Sequence, residues 1–512
     1  MTVFEIPDGI GGVFRIEWLH LIVITVPFLL AGLSFLAGRR PQISPKAPPL
    51  INEGLPIFGA VRFWTERWDF FRWAQTQNTS GYFSFFIGNH PVVGLSGDEG
   101  RKVFFESKQF GLTEGYSVLF GMFPSTKVEN KEGQDTYHTT EFALHFKDRI
   151  TRMVRKERVE KNLPILIADT RARLDELVKD PTRITDPFES IYKLIYLLTM
   201  RTVGCNELSR NRQQLDTSLG LYETVARCAT IWPIVLPWFP SPNLVKRTIA
   251  GARLYFLLSR IVSKRIKNGI REDDPLQDMI DRGDEKSHII GTIMGALFAA
   301  QQNSGINAAY VLVYLSCNPD WATKARNEAL SVAQKYCPDE KLSVADRLAK
   351  VPVEAWESEF STIELCLRDS IRMHSLGACF RKNISGKDVD LGNGIIPNEY
   401  FASYHISNVH LNPEIYRDPE QWDPSRYLPE RAEDKKRPLA WLGWGAGRHP
   451  CLGMKFAKLE QNIVAAFFLT MFDFQLSDSK GNPLDSPPKL DKNAYSSWKP
   501  ETPVFLKYNP RT

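Results

Sequence analysis

Trp444-Gly445-Ala446-Gly447-Arg448-His449-Pro450-Cys451-Leu452-Gly453 is the stretch that decides how this chain folds and what it holds. Its glycines suit a tight turn where a side chain would collide or where φ is positive. The pattern that follows is amphipathic, so a helix is expected to open at Cys451 and aim its positive end at the sulfur, which favours a thiolate. Backbone N–H groups of such a turn tune a metal-bound sulfur, and Arg448 and His449 place basic groups where an anion could be paired. An inert buried cysteine after a glycine-rich turn would need none of these features together. The reading is a thiolate metal ligand under a flat, anionic group.

The segment resembles the haem-binding signature of the cytochromes P450, F-x-x-G-x-R-x-C-x-G. Cys451 stands at the axial ligand of the haem iron, and Gly447 and Gly453 at the two glycines. Trp444 replaces the phenylalanine and His449 the usual arginine. The Gly-Arg-His-x-Cys form is similar to that of eukaryotic sterol demethylases, which makes His449 a partner for a haem propionate. The resemblance implies haem b (iron protoporphyrin IX) and a mainly α fold with small β-sheets, preceded by one transmembrane helix. It covers most of the chain after Leu50, and it is weakest over residues 111–239, which would shape substrate choice.

Two further motifs follow from the resemblance. The family has an E-x-x-R on a helix upstream of the cysteine, then a second arginine; here Asp369-Ser370-Ile371-Arg372 and Arg426 occupy those places. Residues three apart share a helix face, so Asp369 and Arg372 are expected to pair and Arg426 to complete a buried structural triad. Arg381 stands at the position of a propionate-binding arginine. On the oxygen side, family monooxygenases carry A/G-G-x-D/E-T, an acid–alcohol pair that delivers protons. This chain has Ala299-Ala300-Gln301-Gln302-Asn303-Ser304, so Gln302, Asn303 and Ser304 are the catalytic candidates. An amide orients water but is no proton acid near neutral pH. Bile-acid-type steroid hydroxylases carry asparagine at this place and use O2, whereas prostacyclin synthase carries it and isomerises a peroxide.

The rest of the 512-residue chain fits around these motifs. A net charge of +5 argues against nucleic acid as a partner. Seven cysteines, an odd number without a CxxC pair, argue against a disulfide framework and a structural zinc site. Residues 18–37 form an apolar run long enough to cross a bilayer. Arg39, Arg40 and Lys46 follow it and only Arg15 precedes it, which places residues 1–17 in the lumen and the remainder in the cytosol. Proline-rich residues 38–49 read as a spacer and 50–512 as one catalytic domain. Helices are expected at 142–179, 211–229, 243–268, 287–317, 321–335, 358–374 and 451–472, and strands at 83–86, 91–95, 394–397 and 503–506. Residues 231–240, apolar but rich in proline, read equally as a buried connection or as a second dip into the membrane.

The function implied is that of an endoplasmic-reticulum monooxygenase, single-pass and fungal in style. It would take O2, electrons from NADPH–cytochrome P450 reductase (a flavoprotein), and a bulky lipophilic substrate such as a sterol, terpenoid or other secondary metabolite. Arg448, Lys455 and Lys458 would supply positive charge for the reductase. The substrate pocket is expected from residues 114–119, the surroundings of Trp232, 299–304, 377–380 and 493–497. A haem-thiolate isomerase or dehydratase acting on a peroxidised lipid is the competing reading, and a non-catalytic haem-binding protein the third.

Overall fold

The computed structural model describes residues 41–119, 141–228, 231–236, 239–494 and 498–511, together with Gly32. The strands among them are β1 (Phe83–Ile87), β2 (His90–Leu95), β3 (Phe110–Gly111), β4 (Ile184–Thr185), β5 (Ala378–Asn383), β6 (Val389–Asp390), β7 (Ile395–Ile396), β8 (Phe401–His405), β9 (Phe472–Ser477) and β10 (Phe505–Pro510). They form a five-stranded sheet in the order β1-β2-β8-β5-β3, a three-stranded sheet β4-β10-β9 and a β6-β7 pair. β2 runs parallel to β8, and β5 antiparallel to it. That register sets Arg381 opposite Ala402.

Helices make up the larger part. The longest, Lys286–Cys317, is apolar nearly all round and buried along most of its length, as a helix through the centre of a domain must be. It packs along Pro187–Val203 and touches Ser361–His374 and Met454–Met471. Local chemistry sets many ends. Pro242–Asn268 opens with a Ser241 hydroxyl accepting the Leu244 N–H at 3.3 Å and a proline at the first position, and closes on Gly269 at φ 60°.

The fold is mainly helical with small sheets, as expected, with differences in detail. The single helix anticipated at 142–179 is two, Glu141–Met153 and Lys156–Lys179, because Arg155 takes extended backbone at the junction. Pro187–Val203 was not anticipated, although Asp186 caps it through the Phe188 N–H and Pro187 starts it. β5, β8 and β9 also escaped notice. All five residues of β8 are buried, so no polar–apolar alternation betrays it.

The core has a helical part around the central helix and an aromatic part. In the latter Phe63, Phe70, Phe71, Phe83 and Phe85 meet ring to ring, with centroids 5.3–6.4 Å apart. The apolar run at 18–37 lies outside the described residues, Gly32 excepted; no described helix is long and apolar enough to cross a membrane. Residues 41–49 of the proline-rich stretch lie on the domain. The Ser84 hydroxyl donates to Pro48 O at 2.7 Å, and Lys46 pairs with Asp388 at 3.0 Å.

Candidate functional site

The loop bearing Cys451 closes on itself: the Cys451 N–H donates to Trp444 O at 2.7 Å and the Gly445 N–H to Leu442 O at 2.9 Å. Gly447, at φ 60°, lies so close to the preceding layer that a Cβ would come 2.2 Å from Phe105 O. That carbonyl also accepts the Arg448 N–H at 3.0 Å. The following helix begins at Met454 rather than at Cys451, with Gly453 as its cap. Desolvation pushes the Cys451 thiol pKa up, and the Gly453 N–H, which points at the sulfur, offsets only part of that push, so without a bound metal the loop does not by itself favour the thiolate. All seven cysteines are free, and Cys451 alone is exposed.

A buried polar frame holds this loop. Arg372 donates to Asp369 through Nε at 2.7 Å, both side chains fully buried. Desolvation works against the Arg372 charge, but Asp369 outweighs it and keeps the pKa above its ordinary value. Arg372 also donates to the carbonyls of His410 (2.9 Å), Pro419 (2.6 Å) and Gln421 (3.0 Å). His410, its pKa pushed down to about 3 by burial and by Arg372, is neutral and accepts the Leu442 N–H at 2.9 Å. A chain of contacts thus runs from Asp369 through Arg372 and His410 to the base of the cysteine loop.

Arg426 is buried beside the Asp369–Arg372 pair, with its shorter contact to a further acid. Its Nε is 3.9 Å from Asp369, while its NH1 donates to Glu433 at 2.9 Å. The remaining Asp369 acceptors are filled by the Tyr427 hydroxyl (2.9 Å) and the Asp423 N–H (2.7 Å). Glu433, Tyr427 and His410 were missed by sequence reasoning. Tyr427 is the neighbour of Arg426 in the sequence, but neither of the other two has a local signal.

On the central helix the three candidates part company. Asn303 is exposed, as is Ala299 one turn before it, in an otherwise largely buried stretch; its Nδ2 donates to Ala299 O at 2.9 Å. Gln302 is buried. Ser304, also buried, faces the Glu460 carboxyl on the helix that follows Cys451. One turn on, Asn307 donates to Gln461 at 2.7 Å. The central helix is therefore tied to the cysteine-bearing segment through its polar middle, and Asn303 alone of the three faces open space.

Basic groups converge beside the loop. Arg381 is 4% exposed, lies over the Phe104 ring at 4.9 Å, and donates to Phe380 O and to the Tyr116 hydroxyl. Burial lowers its pKa. Desolvation, then Arg381, Arg448 and Lys147, push His449 down to about 4. Among the described residues none of these four groups forms an ion pair. A buried arginine without a carboxylate, flanked by further cations and next to an accessible thiol, suits a metal macrocycle carrying carboxylates. Haem is a group that these residues would fit: Cys451 would be the ligand for the iron, and Arg381, His449 and Lys147 would face the propionates. Lys147, on Glu141–Met153, was not among the expected residues.

Comparison with known proteins agrees with this geometry. The family profile described as Cytochrome P450 matches residues 48–497. The chain is 32% identical over 498 residues to cytochrome P450 monooxygenase AacuE of Aspergillus aculeatus, covering 96% of this chain and 98% of that one. It is 24% identical over 472 residues to obtusifoliol 14-alpha demethylase of Sorghum bicolor, covering 90% of each. Among solved structures, retinoic-acid-bound cyanobacterial CYP120A1 superimposes with a TM-score of 0.66 at 20% identity, over 91% of this chain and 100% of that one. With its profile matched over most of its length and a monooxygenase relative above 30% identity along nearly all of it, the chain belongs to the cytochrome P450 family and is a monooxygenase.

Proposed function

We propose that this P450 docks on a membrane and oxidises a bulky lipophilic molecule of the sterol or terpenoid kind, with O2 and electrons from NADPH–cytochrome P450 reductase. The observation that carries the reading is the accessible Cys451 thiol beside three cations (Arg381, Arg448 and Lys147) and a neutral His449, none of them in an ion pair among the described residues, tied through Glu460 and Gln461 to a helix whose Ala299–Asn303 face is open. Bound haem supplies oxygen reduction, and a thiolate ligand favours O–O cleavage.

The chain's own residues do the rest. The Gly453 N–H stabilises charge on the sulfur, and the Asp369–Arg372–His410 frame keeps the loop in place. Arg381 and His449 anchor carboxylates and so orient the macrocycle. Asn303, its donor engaged by Ala299 O, has its amide oxygen left as an acceptor that can hold a water but cannot release a proton. Ala299 leaves a small apolar surface next to it for substrate. The sorghum relative is named for demethylating obtusifoliol, and a relative in Arabidopsis thaliana is named a sterol 14-demethylase, which supports a polycyclic substrate class.

Membrane docking rests on an apolar stripe. Phe239, Val245, Ile249 and Phe256 are 38–61% exposed on and just before the Pro242–Asn268 helix, more than scattered surface residues account for. Ile234 and Val235 of the preceding turn are buried, and Trp232 packs on Phe58 and Phe239. Residues 231–236 are thus a connection, and the membrane-facing surface begins after them. With residues 18–37 as a single anchor, the domain would face the cytosol from the endoplasmic reticulum. Lys458 pairs with Glu364, so Arg448 and Lys455 remain exposed for the reductase.

The test is turnover of a sterol and terpenoid panel by the full chain with reductase under isotopically labelled O2. One labelled oxygen in product, dependent on NADPH, is the expected result. Reductase-free conversion of a lipid peroxide without label would replace this reading with the isomerase that the Asn303 amide also permits.

A further inference from the structure

Three oxidisable rings and a histidine form an unbroken stack that nothing above uses. Tyr310 and Tyr314, both buried, stand one turn apart on the central helix. His374, the last residue of Ser361–His374, touches both. Its ring lies face to face with Tyr310, centroids 3.4 Å apart and planes 12° off parallel, and its Nε2 is 2.8 Å from the Tyr314 hydroxyl. Tyr314 in turn stacks on Trp422, 5.3 Å away and 4° off parallel. The Trp422 indole N–H donates to the Ser370 hydroxyl at 3.0 Å. Its neighbours in the chain, Gln421 and Asp423, line a polar cleft that opens to solvent.

The stack runs between two parts of the site. Tyr310 is seven residues past Asn303 on one helix, hence about 10 Å along its axis. Trp422 lies in the buried frame, since the Gln421 carbonyl accepts from Arg372 at 3.0 Å and the Asp423 N–H donates to Asp369 at 2.7 Å. Packing alone would need only the rings; the hydrogen bond between Tyr314 and His374 adds a chemistry. Burial, then Arg372, push the His374 pKa down to about 3, so the imidazole is neutral and, with its proton on Nδ1, accepts the Tyr314 O–H. Burial, then Tyr310 and Asp369, raise the Tyr314 pKa against the pull of Arg372, so the phenol keeps its proton. A phenol that loses an electron becomes a strong acid, and then even this weak base takes the proton.

We infer that Tyr314 and His374 are a proton-coupled redox pair which, with Tyr310 and Trp422, carries out to the surface an oxidising equivalent that no substrate has taken up. In the step, an electron leaves Tyr314 by way of Tyr310 toward the oxygen site. The Tyr314 O–H bond breaks and its proton moves to His374 Nε2, leaving a neutral tyrosyl radical. Trp422 then gives an electron to Tyr314 while His374 returns the proton, and the phenol is restored. A one-electron reductant in solution, of the thiol or ascorbate class, replaces the electron at Trp422. One electron enters at Trp422 for each that leaves through Tyr310; no proton is lost and no bond to carbon changes.

The first test is flash photolysis of the full chain with a soluble ruthenium polypyridyl photo-oxidant, which needs no turnover. A neutral tyrosyl radical is expected in wild type, formed at a rate that is flat across neutral pH, because the proton goes to His374 and not to buffer, and slower in D2O. Tyr314→Phe, which keeps the ring and its stacking, should lose this signal, and Trp422→Phe should slow it several-fold. The second test is NADPH oxidation with reductase and no substrate, in which both variants should gain oxidised side chains, read by mass spectrometry, several-fold faster than wild type. A radical of equal yield in wild type and Tyr314→Phe, or a rate that climbs with pH as for an exposed phenol, overturns the inference. Equal damage in wild type and both variants overturns it as well. Should Tyr314→Phe fail to fold, the pH and D2O dependence in wild type, together with Trp422→Phe, decides.

Discussion

Replacing Asp369 by alanine removes the hub of the buried frame, and its cost follows from the contacts. Arg372 would keep three carbonyl acceptors but lose its only counter-charge among the described residues, at complete burial. Breaking a buried pair in this way costs roughly 3–5 kcal/mol. The Tyr427 hydroxyl and the Asp423 N–H would also lose their acceptor, at about 1–3 kcal/mol each when left unsatisfied. These losses overlap, so the total expected is about 5 kcal/mol. Asp369→Glu restores the acid usual in the family but pushes one more methylene into a cage filled by Tyr427 and Asp423, costing roughly 1–3 kcal/mol. Urea unfolding of both variants, with the slope unchanged, gives the two numbers. The same experiment in double-mutant cycles tests the pairing. Coupling of Arg426 to Glu433, at 2.9 Å, should be large, and coupling of Arg426 to Asp369, at 3.9 Å, small. A loss below about 1 kcal/mol for D369A, a larger loss for D369E than for D369A, or the reverse order of couplings would refute the reasoning.

Other consequences are equally direct. Because the folded pKa of Glu460 is raised to about 8 from an ordinary 4.5, its contribution to stability is full below pH 4.5 and lost as pH rises toward 8. The fall is about 1.4 kcal/mol per pH unit, so E460Q should gain on wild type across that window; parallel stability curves would contradict this. Arg381→Met removes a buried charge lacking a carboxylate and should leave the haem-free fold as stable or more so while haem is lost faster; slower loss would argue against the propionate role. Gly447→Ala forces a Cβ against Phe105 O at positive φ and should cost at least about 1–3 kcal/mol and abolish haem retention, as read by thermal unfolding and haem content.

The sequence was most legible where chemistry is local. The Trp444–Gly453 turn, the pairing of Asp369 with Arg372 and the long apolar helix could each be read from spacing and residue type, because each is made within one or two turns of chain. The second and closer partner of Arg426 could not. Glu433 is close in sequence, but only the fold of the 417–436 segment decides that it, and not Asp369, takes NH1. His410 and Glu460 were invisible for another reason: each is a single polar residue in an apolar context, and its meaning comes from the elements it meets. β8 and Pro187–Val203 were missed because full burial erases the periodicity that reveals half-buried elements. At the oxygen site, spacing grouped Gln302, Asn303 and Ser304, whereas helix geometry turns them in different directions.

The claim on which the rest depends is that Cys451 supplies a thiolate to haem iron. The most direct test is the ferrous–carbon monoxide difference spectrum of the full-length protein, wild type beside Cys451→Ala. The thiolate-type Soret band in wild type, and its loss in the variant along with haem retention or activity, is the result predicted. A wild-type spectrum without that band, or a variant that keeps it, would contradict the account.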